Sequence, residues 1–199
     1  MLLYRLASAN AARGVLRGAP EEQQPLPEPL VEFLNWLTFM SPEQPGPYAG
    51  IADELERSVG GQINVERSPT GSPSYTYAEA GRDPIPLSFA SSLVAELAPV
   101  ILTLRYSDSM SFLVLEAPEA QVQRALARAL VRLVRAGVRV LVTTHSDLFC
   151  QEIDNLLKLG VLPQDQRAAL QQELGRLHPD HYLRPDDIRG YSFRPGPEG

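Results

Sequence analysis

The stretch GVRVLVTTHSD, Gly137 to Asp147, decides the fold. It is an apolar run that ends abruptly in two threonines, a histidine, a serine and an aspartate. A short apolar run bounded by turn signals reads as a buried strand, here Val138 to Thr143. In open α/β sheets, functional groups gather just outside the carboxyl ends of strands. The chain has three histidines, and His145 stands at that place, which makes it the first candidate for a ligand site.

Upstream, SFLVLEAPEA predicts a second buried strand, Phe112 to Leu115, ending at Glu116. Helices are expected over Gln121 to Ala136 and Asp147 to Leu159. Strand, helix, strand, helix is the order of a parallel sheet with right-handed crossovers, so the fold class is α/β. If the two strands are neighbours, Glu116 and His145 project into one crevice. Earlier still, SSLVAELAPVILTLRY carries Leu93, Leu97, Val100, Ile101 and Leu104 at helical spacing. That helix starts after Ser91 and Ser92, either of which would cap it, and Pro99 is expected to kink it.

Residues 1–85 read as a helical arm with an inserted β-hairpin, and 86–199 as the α/β core. In the arm, prolines flank VEFLNWLTFM, which predicts a short helix. Ile51 to Val59 predicts another, stopped at Gly60-Gly61. QINVER and SYTYAEA alternate like two strands joined by the turn-rich SPTGSP. At the other end, Arg189 to Phe193 is expected to form an edge strand.

Composition excludes several function classes. No apolar run approaches the roughly 18 to 20 residues that span a bilayer, so no membrane role is expected. The single cysteine, Cys150, cannot form an internal disulfide, which points to a reducing, cytoplasmic setting. The formal charge of −6 argues against a broad basic surface for nucleic acid. Arg124, Arg128, Arg132 and Arg135 do recur at helical spacing. They are read as a solvated face paired to acids, since Leu126, Leu130 and Leu133 form a separate core stripe. His178 and His181 lie in no zinc-type spacing and are assigned no metal. The N-terminal twenty residues hold arginines and no acid, as transit peptides do. They also suit an ordinary partly buried helix.

Taken in order, PLSFASSLVAEL, FLVLEAPEA and VLVTTHSD resemble the second half of the nucleotide-binding domain of ABC-type ATPases. The likeness is to the non-transporter branch with SMC, RecF and OLD-like members, often described as AAA-type. It implies a partial P-loop NTPase fold and ATP with Mg2+ as cofactors. It gives Glu116 the role of the Walker B acid, holding magnesium directly or through water. His145 becomes the switch histidine, contacting the γ-phosphate or orienting the attacking water. Ser91 and Ser92 become signature residues capping the phosphate of a nucleotide held by a second subunit. Ser146 and Asp147, just after the histidine, would equally well cap the next helix.

The departures from that family matter as much. Lys158 is the only lysine and follows no glycine loop, so no Walker A motif exists to cradle phosphates. Ala117 stands where the family carries the water-polarising glutamate, and Leu93 replaces the signature glycine. Gln121, Val122, Gln123 and Arg124 replace the histidine- and proline-containing loop. The resemblance therefore implies a chain that needs a P-loop-bearing subunit, with a homo-dimer or higher oligomer the other arrangement. The reading from another class is a non-catalytic pseudo-ATPase interaction module that kept the fold and lost the nucleotide.

Overall fold

A computed structural model describes residues 28–68, 71–116, 122–174 and 177–193. The N-terminal twenty residues, Ala117 and Gln121 lie outside them. The chain divides into two compact units. The first ends at Met110 and includes residues 122–125; the second begins at Ser111.

In the first unit, helix α1 spans Glu28–Phe39 and α2 spans Ala49–Ser58. Strands β1 (Gly61–Arg67) and β2 (Pro73–Glu79) pair antiparallel in register from Gly61 opposite Glu79 to Arg67 opposite Pro73. The short β3 (Ile85–Pro86) adds to β2. Helix α3 (Ser92–Tyr106) follows and runs through Pro99. Ile51, Ala52 and Leu55 of α2 and Leu97, Ile101 and Leu104 of α3 are buried, with Ile63 and Tyr77 from the hairpin. Burial of this apolar set is the main favourable term for the unit.

An ion pair lies within that packing. Glu56, 6% exposed, accepts the Ile63 amide at 2.6 Å and two Arg105 nitrogens at 2.9 and 2.7 Å. Asp53 accepts from the same guanidinium at 2.8 Å. Hydrogen bonding to Glu56 holds the Arg105 guanidinium protonated beyond its ordinary range, against the opposing effect of burial. One carboxylate thus ties α2, β1 and α3 together, with its lone pairs satisfied.

The second unit is β4 (Phe112–Glu116), α4 (Gln123–Arg135, whose first turn counts with the first unit), β5 (Arg139–Thr143), α5 (Asp147–Val161) and α6 (Gln164–Glu173). β4 and β5 pair in parallel, Phe112 opposite Arg139 through Glu116 opposite Thr143. Gly137, at φ 89°, closes α4: its amide donates to Val134 and the Val138 amide to Leu133. That αL cap needs glycine, and it turns the chain into β5. Residues 177–193 return as a strap. The Leu183 amide donates to Leu156 at 3.0 Å, and Val131, Leu156, Leu159, Tyr182 and Leu183 form one buried cluster. A Cβ on Gly160 would stand 1.7 Å from the Leu183 carbonyl oxygen, so glycine there is what admits the strap.

Two expectations are corrected. The strands of the parallel pair are not buried: Phe112, Val114 and Leu141 are 54%, 55% and 52% exposed, and Leu113, Leu115, Val140 and Val142 only half-buried. A continuous apolar run carries the composition of a strand covered on both faces, but the described residues leave one face of this pair open. Arg189 to Phe193 forms no strand. Tyr191 and Phe193 are 82% and 95% exposed, since the described residues supply no neighbour for that segment to pair with.

Candidate functional site

The carboxyl edge of the parallel pair is built by local chemistry. Glu116 is the last residue of β4 and lies opposite Thr143, the last of β5. His145 comes two residues later, and both Glu116 and His145 are exposed. The turn holding His145 is fixed by its neighbours. The Ser146 amide donates to Thr144 Oγ1 at 3.0 Å, and Ser146 Oγ accepts the Phe149 amide at 3.2 Å as the N-cap of α5. Asp147 occupies the first turn, where a carboxylate suits the helix dipole. Ser146 and Asp147 thus have the capping role read from the sequence. An acid and an imidazole are left at adjacent strand ends beside a helix N-terminus, a setting suited to phosphate chemistry.

Ser91 and Ser92 belong to the other unit. Ser91 is the N-cap of α3, its hydroxyl accepting the Val94 amide at 3.4 Å, and both serines are exposed. Leu93 is half-buried. The structure therefore ends β4 at Glu116, puts His145 in the loop two residues past the paired end of β5, and gives Ser91 its ordinary structural role.

As for metal, no group of three or more His, Cys, Asp or Glu side chains gathers among the described residues. Glu116 alone fits a magnesium ion that keeps several waters and takes its other ligands from nucleotide phosphates, the usual mode for that ion. It does not amount to a protein-made cage. The remaining histidines have structural work. His181, 1% exposed, accepts the His178 amide on Nδ1 at 2.9 Å, and His178 Nδ1 accepts the Asp180 amide at 3.2 Å. The Gln171 side-chain amide, which sequence reasoning missed, donates to the carbonyls of His178, Pro179 and His181.

Arginines on α4 are engaged within the chain. Arg128 meets the buried Glu152 at 2.6 Å, and Arg135 meets Asp187 at 3.5 Å while stacking over the Tyr182 ring at 4.4 Å. A second arginine, Arg167, lies 3.9 Å from the centre of the same ring. These partners make Arg128 and Arg135 clamps within the second unit.

No protein-family model, curated protein or solved structure is matched by this chain. No described helix is long and apolar enough to cross a membrane.

Proposed function

We propose that this chain is the signature, Walker B and switch-histidine half of an ATP-dependent switch, completed by a P-loop-bearing partner. The observation that carries this reading is an unfinished parallel sheet presenting Glu116 and His145 at its carboxyl edge. Parallel sheets are ordinarily covered on both faces, and this pair leaves Phe112, Val114 and Leu141 in water. A lobe that supplied the phosphate cradle would also supply helices to cover that face. In the completed assembly, Glu116 would hold the nucleotide-bound magnesium and His145 would meet the γ-phosphate or its attacking water, while Ser91 and Ser92 would cap the phosphate of a nucleotide held by a second subunit. Bound magnesium supplies charge neutralisation of the phosphates.

Three features limit turnover. The chain has no phosphate-binding lysine loop, so ATP with magnesium is expected to show no saturable heat in the micromolar range when titrated into the isolated protein. Leu93 crowds the place where backbone approaches phosphate. Ala117 cannot orient water, and loss of a positioned base costs about 10²- to 10⁴-fold in rate. Those same features support the second reading, a pseudo-ATPase module whose assembly ignores nucleotide.

The deciding measurement is complex formation with a P-loop-bearing chain supplied in trans, with and without ATP and magnesium, alongside phosphate release. The switch reading expects nucleotide-dependent assembly, weakened by His145→Ala and Glu116→Gln, and turnover raised by Ala117→Glu. Assembly indifferent to nucleotide in every variant leaves the interaction module. Tight one-to-one ATP binding by the isolated chain would overturn the need for a partner.

A further inference from the structure

The hairpin of the first unit has one paired edge and one outer edge. β3 pairs with the far side of β2, and among the described residues no strand pairs with the far side of β1. Along a strand, successive residues turn their N–H and C=O to one side and then the other. Ile63 faces outward, since its amide reaches Glu56 and its carbonyl Arg105. Gly61, Val65 and Arg67 share that outward phase, so β1 has the edge on which another chain pairs unless something prevents it.

The side chains at Ile63 reproduce what a neighbouring strand supplies. Glu56 Oε1 accepts the Ile63 amide at 2.6 Å, as a carbonyl would, and Arg105 Nη1 donates to the Ile63 carbonyl at 3.4 Å, as an amide would. Arg105 Nη1 also donates to Glu56 Oε1 at 2.9 Å, which closes a ring of hydrogen bonds around one residue of the edge. Arg105 Nη2 meets the second Glu56 oxygen at 2.7 Å and Asp53 at 2.8 Å, so the guanidinium is held from two directions. Outermost stands Asp53, with its side chain 63% exposed. An incoming strand meets an ion pair where it needs a free amide and carbonyl, and a charge at the rim.

The geometry points to an edge guard: the Glu56–Arg105 pair blocks β1 at Ile63 and keeps the hairpin from extending its sheet into a second copy of this chain. A second copy is the partner refused, because two identical β1 edges pair antiparallel about a two-fold axis with no other sequence required. Stability alone does not call for the pair, since apolar residues of the same volume commonly match or better a buried ion pair. Keeping an edge strand unpaired is a separate demand, and charges placed at the edge are a usual way to meet it. This device is independent of the nucleotide reading, since it lies wholly in the first unit.

The test separates guarding from stabilising. In Glu56→Met combined with Arg105→Met, apolar side chains of similar size replace the pair and the Ile63 backbone loses its partners. That variant is expected to stay folded by circular dichroism. In sedimentation velocity between about 1 and 100 µM it should gain a self-association step that the wild type lacks. Adding Val65→Pro removes an outward amide without touching the β1–β2 ladder and should abolish that step. Glu56→Gln keeps an acceptor for Ile63 and should behave as wild type. A folded double variant that associates no more than wild type, association that survives Val65→Pro, or equal association by Glu56→Gln each overturns the guard. Hydrogen exchange tests the wild type directly, whether or not the double variant folds. The outward Ile63 amide should exchange at least about a hundredfold more slowly than an unstructured amide, in company with the inward Gln62 and Asn64 amides. Faster exchange at Ile63 would show an edge that Glu56 does not close, and overturns the guard as well.

Discussion

The first unit and the second meet the same physical demands in opposite ways. In the first, an antiparallel hairpin buries Ile63 and Tyr77, and the polar residue drawn inside, Glu56, is answered by Arg105 and a backbone amide. In the second, helices and strap build a buried cluster of their own, while the parallel pair keeps apolar side chains in water. Antiparallel sheets tolerate one wet face when it is polar; a parallel pair with an apolar wet face departs from the ordinary covering of both faces. The difference teaches where the described residues complete their own packing and where they leave it open.

The largest effect expected is in the self-sufficient unit. Glu56→Ala leaves the Arg105 charge and the Ile63 amide without their buried acceptor and should cost about 3–5 kcal/mol in chemical denaturation. A loss below about 1 kcal/mol would mean Asp53 and water replace Glu56, and the pair would not be the tie described. Next comes the second unit's own core. Gly160→Ala drives a methyl group into the Leu183 carbonyl and should cost about 1–3 kcal/mol. The strap should become protease-sensitive in that variant, and an unchanged digestion pattern would show that it is held elsewhere.

A smaller effect is expected from alkali. Burial raises the Tyr75 hydroxyl from its ordinary 10 to about 12, with Arg67 opposing, and burial also raises Tyr77. The fold thus favours the neutral phenols, which donate to the Leu37 and Val59 carbonyls. The Tyr75 contribution is fully present below pH 10 and is lost as pH rises through about 12. Denaturation midpoints measured across that window should fall, and Tyr75→Phe should flatten the decline. Equal slopes in the two proteins would assign the loss to other groups.

The smallest effect is the most discriminating. Val114→Thr and Leu141→Thr, on the wet face, should change the stability of the isolated chain by no more than about 0.5 kcal/mol. Ile63→Thr, at 1% exposure in the hairpin, should cost about 1–3 kcal/mol. If the wet-face variants nevertheless abolish assembly with a P-loop partner, that face is the interface. A large loss of stability in the isolated chain would show that it is already covered.

Elements set by local chemistry were legible in the residues themselves. The hairpin shows its alternation, α3 its serine cap, and α4 its apolar stripe, because each depends on neighbours one to four positions away. The same holds for the candidate site as far as placement goes. Glu116 and His145 follow apolar runs separated by a helix, and that spacing leads to adjacent parallel strand ends. Their chemical roles rest on motif likeness and await the assembly experiment.

What only the tertiary structure decided are the relations between distant residues. Nothing near Glu56 announces Arg105, 49 positions away, or tells which carbonyls Gln171 will hold. The surface depression at the end of α1 likewise draws Trp36 and Tyr106 from separate helices. Burial is the clearest case. Val114 and Leu141 have the composition of fully covered strands, yet cover is a property of what packs above a strand and not of the strand itself. By itself the sequence determined the hairpin, the two parallel strands and the serine caps, through local backbone and side-chain preferences, but not that Arg189 to Phe193 would stay out of any sheet. The tertiary structure alone decided which apolar face stays wet and which charges are answered inside, since both are sums over contacts between residues far apart in the chain.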